Sequence, residues 1–321
     1  MQRIRQVCVI GGSGFVGSAV VHKLSVAGYD VKVLTRRRES SKHLILLPNV
    51  QVVECDIFND TALSGHLHAQ DAVINLVGIL HESSQAGFDK LHAELPARIV
   101  DICCKQGVKR LLHMSALQAD VHAKSAYLRS KAAGEAAVLA RAREVDVTVF
   151  RPSVIFGRGD QFLNLFANVV KILPVVAVAK PNARFQPIWV EDVAHVFVAA
   201  LDNVSTYGRS IDLGGPQVYT LQQLIEFVAF LLGKKRRIVP LNDKLSYYQA
   251  YVMEKLPVKL MTRDNLFSME VDSVCAAPVR ELFGVPTTAL EAVAPEYLVG
   301  DTPRSAYDRF RSLAGRTFSK R

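Results

Sequence analysis

A chain of 321 residues, half of them hydrophobic and 21% charged, buries a full core, which excludes disorder except at the ends. The formal charge of +9 and a pI near 9.3 raise the question of a polyanionic partner. The basic residues are scattered, however, and the two runs, Arg36-Arg37-Arg38 and Lys234-Lys235-Arg236-Arg237, are not interleaved with aromatics, so no nucleic-acid partner is expected.

The first half alternates short β-rich runs with helical patterns. Residues 7–10, 31–34, 50–53, 72–77, 109–113 and 147–150 are continuous apolar or β-branched runs, as parallel strands buried on both faces require. Between them, 15–27, 88–106 and 125–143 read as helices, and 60–68 as a weaker one. This alternation predicts βαβ units in an α/β fold: a Rossmann-type doubly wound parallel sheet, with a smaller C-terminal α/β lobe. The dinucleotide-binding core is expected over 1–155. The remainder, 156–321, partly completes that core and forms the lobe. Residues 161–173 and 190–201 read as helices, and Glu191 and Asp192 suit the positive end of the second. A short strand at 210–213 precedes Gly214-Gly215-Pro216. Thr220 reads as the N-cap of a helix over 221–232 that Gly233 ends, before a strand at 236–240. Pro257, Pro278, Pro286 and Pro295 act as breakers in an irregular helical C-terminal third, ending in a frayed tail.

The first strand starts within a few residues of Met1, so no cleaved leader is expected. The apolar stretch 163–179 is broken by Asn168, Lys171 and Pro174 and is not a transmembrane helix. Five cysteines without a framework suit reduced thiols in a cytoplasmic compartment. Cys103 and Cys104 are adjacent on a helix and cannot chelate one ion together. The histidine pairs His66/His68 and His113/His122 lack further ligands, so no metal is expected. Tyr247, Tyr248, Tyr251, Met253 and Leu256 read as lobe packing. Beside the run 234–237 they also suit contact with the inner face of a membrane or with a large complex.

The chemistry concentrates at the start. Gly11-Gly12-Ser13-Gly14-Phe15-Val16-Gly17 follows a strand and opens a helix. Gly11 permits a tight turn, Gly14 lets the backbone approach a pyrophosphate, and Gly17 lets helix and strand pack closely. The helix end then offers amide N–H groups to the anion. This predicts a dinucleotide cofactor. An NAD binder places a carboxylate at the end of the second strand. Here Thr35 is followed by Arg36 and Arg37, which suit a 2′-phosphate, so NADP(H) is favoured and NAD(H) stays open. Asp56 and Ile57 fall after the third strand, where Asp56 can accept from the adenine amino group. Leu76, Val77 and Gly78, after Asn75, fall near the adenosine ribose.

Tyr127 and Lys131 stand four residues apart, on one face of a helix. A nearby ammonium is expected to lower the phenol pKa, so that Tyr127 exchanges a proton with a substrate carbonyl or alcohol while Lys131 also holds the nicotinamide ribose. Ser115, ending the fifth strand, can polarise the same substrate oxygen.

The glycine turn, Ser115 and the Tyr127/Lys131 pair resemble the short-chain dehydrogenase/reductase superfamily, in its extended or atypical NAD-dependent epimerase/dehydratase branch. The stretches 125–135, 151–164 and 186–193, with Gly214-Gly215-Pro216 and Thr262-Arg263-Asp264-Asn265, are similar to the NADPH-binding accessory subunit of respiratory complex I and its bacterial relatives. The resemblance implies NADPH, with Pro152, Ser153 and Val154 near the nicotinamide. In mitochondria the subunit is an accessory one with a structural cofactor, and some relatives are linked to quinone metabolism. Many superfamily enzymes carry a serine-rich run where Ser115 is solitary. Three readings stay open: an oxidoreductase or epimerase for a small carbonyl, alcohol or quinone-related substrate, a non-catalytic NADPH-binding accessory or assembly protein, and a reporter of NADP(H) redox state.

Overall fold

The structure is a computed structural model that describes residues 4–82, 87–255, 261–276, 283, 284 and 286–299. The apolar runs form strands β1 (Gln6–Ile10), β2 (Asp30–Thr35), β3 (Val50–Glu54), β4 (Ala72–Asn75), β5 (Arg110–Met114) and β6 (Asp146–Pro152). Helices α1 (Phe15–Val26), α2 (Lys42–Ile45), α3 (Asp60–Leu67), α4 (Leu95–Gln106) and α5 (Ala126–Leu139) alternate with them. The later chain adds β7 (Ile155–Phe156), α6 (Leu163–Ile172), β8 (Val175–Val178), β9 (Arg184–Phe185), β10 (Ile188–Trp189), α7 (Val190–Ala200) and β11 (Arg209–Leu213). It ends with β12 (Tyr219–Thr220), α8 (Leu221–Leu231), β13 (Arg237–Pro240), α9 (Asp243–Glu254), α10 (Arg263–Ser268) and α11 (Leu290–Leu298).

The central sheet runs β3-β2-β1-β4-β5-β6-β11, every pair parallel. One face packs on α1 and α7 through Val7, Val9, Val20, Leu112 and Phe197. The other packs on α3, α4 and α5 through Cys8, Ile10, Leu63, Ile99, Leu111 and Val138. Strand order reverses between β1 and β4, so Ile10 lies opposite Asn75 and the carboxyl ends of both strands open onto one crevice. Residues beyond 155 return α7 and β11 to this layer. The smaller lobe is built on Phe156, Leu163, Val176, Val178, Leu224 and Val228, between α6, α8 and α11.

Arg110 fastens the far end of the sheet. Its buried guanidinium donates to the carbonyls of Asp146, Ala200 and Leu201 and to the hydroxyls of Thr148 and Thr206. It thereby satisfies carbonyls at the end of α7, which have no partner within the helix. Burial lowers its pKa to about 10.

Several expectations change in detail. The helix expected over 88–106 begins as a π-helical turn, Asp89–Glu94, before α4. Glu191 and Asp192 do lie in the first turn of α7, as expected, although neither side chain forms a cap hydrogen bond. Glu191 pairs with Lys23, and buried Asp192 accepts from the backbone and hydroxyl of Thr288. Thr220 does cap α8, in a reciprocal box with Gln223. Pro295 sits inside α11 instead of ending it. Its missing N–H forfeits one bond to the first helical turn, while Leu290, Ala294 and Leu298 anchor the helix in the lobe core. Tyr247, Tyr248 and Tyr251 lie on the outer face of α9, which buries Ser246 and Ala250. Leu256, Pro257, Pro278 and the tail beyond 299 lie outside the described residues.

Candidate cofactor and active site

The glycine turn places α1 against the carboxyl end of β1. Gly11 has φ +84°, in the left-handed region. A Cβ on Gly17 would overlap the Gly11 carbonyl oxygen, so only glycine lets the helix start this close to the turn. Gly14 is the N-cap and brings no side chain to the first-turn amides, no side chain among the described residues bonds them, and no acid lies in that turn. The positive end of α1 is thus left for an external anion. At the end of β2, the Thr35 hydroxyl lies 3.4 Å from that of Ser13 and accepts the Arg37 N–H. Arg36 and Arg37 are exposed there. One carboxylate oxygen of Asp56 is occupied by the Phe58 N–H at 2.9 Å.

Leu76–Gly78, Ser115 and Pro152–Val154 stand at the ends of β4, β5 and β6, and Lys131 on α5 reaches the first two of these strand ends. Lys131 is buried. Its ammonium donates to the Met114 carbonyl at 3.2 Å, and a Cβ on Gly78 would lie 3.1 Å from Nζ. Ser115 is buried, and its hydroxyl has no hydrogen-bond partner among the described residues. Tyr127 is half-buried, and its ring packs edge-on against His92 and Phe88, with centroids at 5.4 and 5.8 Å. Its hydroxyl has no hydrogen-bond partner among the described residues.

One expectation is corrected. Burial pushes the Tyr127 phenol up to about 12 and the Lys131 ammonium down to about 8. Loss of water around the phenol is the cause, and no lowering by Lys131 offsets it.

The start of α5 is fixed twice. Ser125 caps it, accepting the Leu128 N–H. Asp264, in the first turn of α10, accepts from the Ser125 hydroxyl at 2.8 Å and from the amides of Ala126 and Tyr127 at 2.6 and 3.2 Å. The stretch Thr262–Asn265 thus holds the helix that carries Tyr127.

Sequence reasoning missed His92. Its Nε2 accepts the Ile79 N–H at 3.0 Å, which assigns the proton to Nδ1. Nδ1–H donates to the Ser130 hydroxyl at 3.0 Å, and that hydroxyl donates to the Tyr127 carbonyl at 2.8 Å. The signal was a histidine in a π-helical turn, which periodicity reads as ordinary helix. His113 is buried alongside. Asn75 Oδ1 accepts the Val77 N–H, so its amide nitrogen donates to His113 Nδ1 and leaves a buried, unpartnered Nε2–H. Burial, aided by the Lys131 charge, holds His92 near 2 and His113 near 3, so both are neutral.

Ser153 is already engaged: its hydroxyl donates to the Ser273 carbonyl and accepts the Gln186 N–H. A cavity of about 400 Å³ lies beside the site, lined by Leu117, Gln118, Glu135, Arg151 and Asp212, and Tyr127, Lys131 and Ser115 do not line it. Among the described residues no group of three or more His, Cys, Asp or Glu side chains could hold a metal ion.

The pattern that defines the NAD dependent epimerase/dehydratase family matches residues 7–214, from β1 through β11. The chain belongs to that family. Within it, the chain is similar to NADH dehydrogenase [ubiquinone] 1 alpha subcomplex subunit 9, mitochondrial, of Arabidopsis thaliana, at 31% identity over 78% of this chain. The match spans 65% of that relative's length. It is also similar to a ceramide reductase of Caulobacter vibrioides, 29% identical over 74% of each chain. The fold matches a dTDP-glucose 4,6-dehydratase of Streptomyces venezuelae with NAD bound, at TM-score 0.70 and 19% identity, over 96% of this chain and 98% of that one. NAD(P) is thus the family's cofactor. The unpartnered Ser115 hydroxyl and the free first turn of α1 fit such a group.

Proposed function

We propose that this member of the family is an NADP(H)-dependent oxidoreductase or epimerase acting on a small carbonyl, alcohol or quinone-related substrate. The observation that carries the reading is the buried Ser115 hydroxyl, which has no partner among the described residues, at the carboxyl edge of β5 and next to the Met114 carbonyl that Lys131 bonds. An unmade buried hydrogen bond costs about 1–3 kcal/mol, which a bound oxygen would offset. Residues Gly11, Gly12, Ser13, Gly14, Phe15, Val16 and Gly17 would hold the pyrophosphate, and Arg36 and Arg37 the 2′-phosphate. Asp56 and Ile57 would face the adenine, and Leu76, Val77 and Gly78 the adjoining ribose. Tyr127 and Lys131 would hold the second ribose, with Pro152, Ser153 and Val154 around the nicotinamide. When bound, the nicotinamide supplies or accepts a hydride. Tyr127 then moves a proton at the substrate oxygen, Ser115 donates a hydrogen bond to that oxygen, and Lys131 keeps the ribose in place.

A second reading is an NADPH-binding accessory or assembly protein in contact with a respiratory complex. It is favoured by the likeness to the complex I subunit. Mass spectrometry of the dinucleotide that co-purifies, followed by its oxidation with carbonyl compounds and quinones, separates the two. Bound NADPH that is consumed by the native protein, and not by Tyr127→Phe, supports the enzyme. NADPH that is retained and never oxidised supports the accessory role.

A further inference from the structure

We propose that one end of the smaller lobe docks onto an anionic lipid bilayer. The inference rests on neither the cofactor nor turnover. Strands β8 and β13 pair in parallel with Val175 opposite Arg237, so the connections from α6 to β8 and from α8 to β13 lie side by side. The Arg236 side chain ties them together through the Val170 and Lys171 carbonyls.

This end shows large apolar groups to solvent: Ile172 is 76% exposed, Phe230 80%, Val175 49% and Leu173 45%. The inner face of α8 is already buried through Leu221, Leu224, Ile225 and Val228, so Phe230 is surplus to the lobe core. Around these groups stand Lys171, Lys234, Lys235 and Arg237, all exposed, and none forms an ion pair among the described residues. The one acid within α6, β8, α8 and β13 is Glu226, which accepts from Gln222. Apolar side chains ringed by unopposed cations suit the headgroup boundary, where the former insert and the latter meet phosphates.

Charge selects the occupant. The chain's last residues, 301–321, carry six Lys/Arg against two Asp, the same sign of charge as this rim. A second copy docked through the same face would oppose cation to cation. Among the described residues no helix is long and apolar enough to cross a membrane, so the contact is peripheral.

The test is co-sedimentation of the full chain with vesicles of phosphatidylcholine alone, or with about a third of phosphatidylglycerol, where each basic residue strengthens attraction several-fold. Binding should need the anionic lipid and weaken with salt. The pair Lys234→Glu/Lys235→Glu and the pair Ile172→Ser/Phe230→Ser should each lower the partition coefficient by about ten-fold or more, with unchanged melting temperature. Binding that persists in both variants overturns the proposal, since it then lies elsewhere on the chain. No binding to anionic vesicles overturns it as well. So does retention on native membranes that is lost when their proteins are digested, which would indicate an acidic protein partner.

Discussion

His92 and His113 make the site pH-sensitive in a direction their burial dictates. Both are neutral in the fold, near 2 and 3, whereas an unfolded histidine takes a proton below about 6.5. The unfolded state therefore binds more protons as pH falls, and stability drops from about pH 6.5 toward 3. The slope reaches about 1.4 kcal/mol per pH unit for each histidine. Lys131 acts on the alkaline side: its charging penalty is fully present below about 8 and is relieved as pH rises toward its unfolded value. Denaturant unfolding between pH 6 and 4 should thus show a shallower slope in His92→Asn and His113→Asn than in the native chain. An unchanged slope in both would sink the assignment of neutral buried rings. The proposed roles of Tyr127, Lys131 and Ser115 start from their spacing and from strand ends, which are local features of the sequence. His92 has no such local feature, since its role depends on Ile79 and Ser130 meeting it in space.

Helix α5 is the element on which the candidate chemistry turns. Its start is held by Asp264, which lies 137 residues from Tyr127 in the chain. Asp264→Ala should cost about 1–3 kcal/mol by leaving the Ser125 hydroxyl and two amides unpaired. It should also lower kcat more than it weakens NADPH, because it loosens Tyr127 and leaves the α1 turn alone. Thermal melting together with NADPH titration reads both effects, and an Asp264→Ala chain as stable as the native one would remove the cap argument. Local signals worked where the partner is local: Thr220 and Gln223 cap α8 three residues apart. The π-helical turn at Asp89–Glu94 escaped because a one-residue bulge leaves the apolar pattern of the following helix intact.

For the whole molecule, the sheet's reversal between β1 and β4 makes one crevice serve every proposed cofactor contact, so the ligand should stabilise the entire fold. NADPH at a hundred times its Kd should add about 2.7 kcal/mol, seen as a rise in Tm. NADH at the same concentration should add less, and Arg36→Ala should erase the difference. Equal Tm shifts for both cofactors in the native chain would contradict the 2′-phosphate reading. The sequence by itself determined the parallel strands, the glycine turn and the Tyr–Lys face, because each is written in periodicity or spacing over a few residues. Tertiary structure alone decided that Asp264 caps α5, that His92 and His113 lie neutral beside Lys131, and that burial raises Tyr127. These depend on contacts between distant segments and on the loss of water around them, and neither quantity has a local signature in the chain.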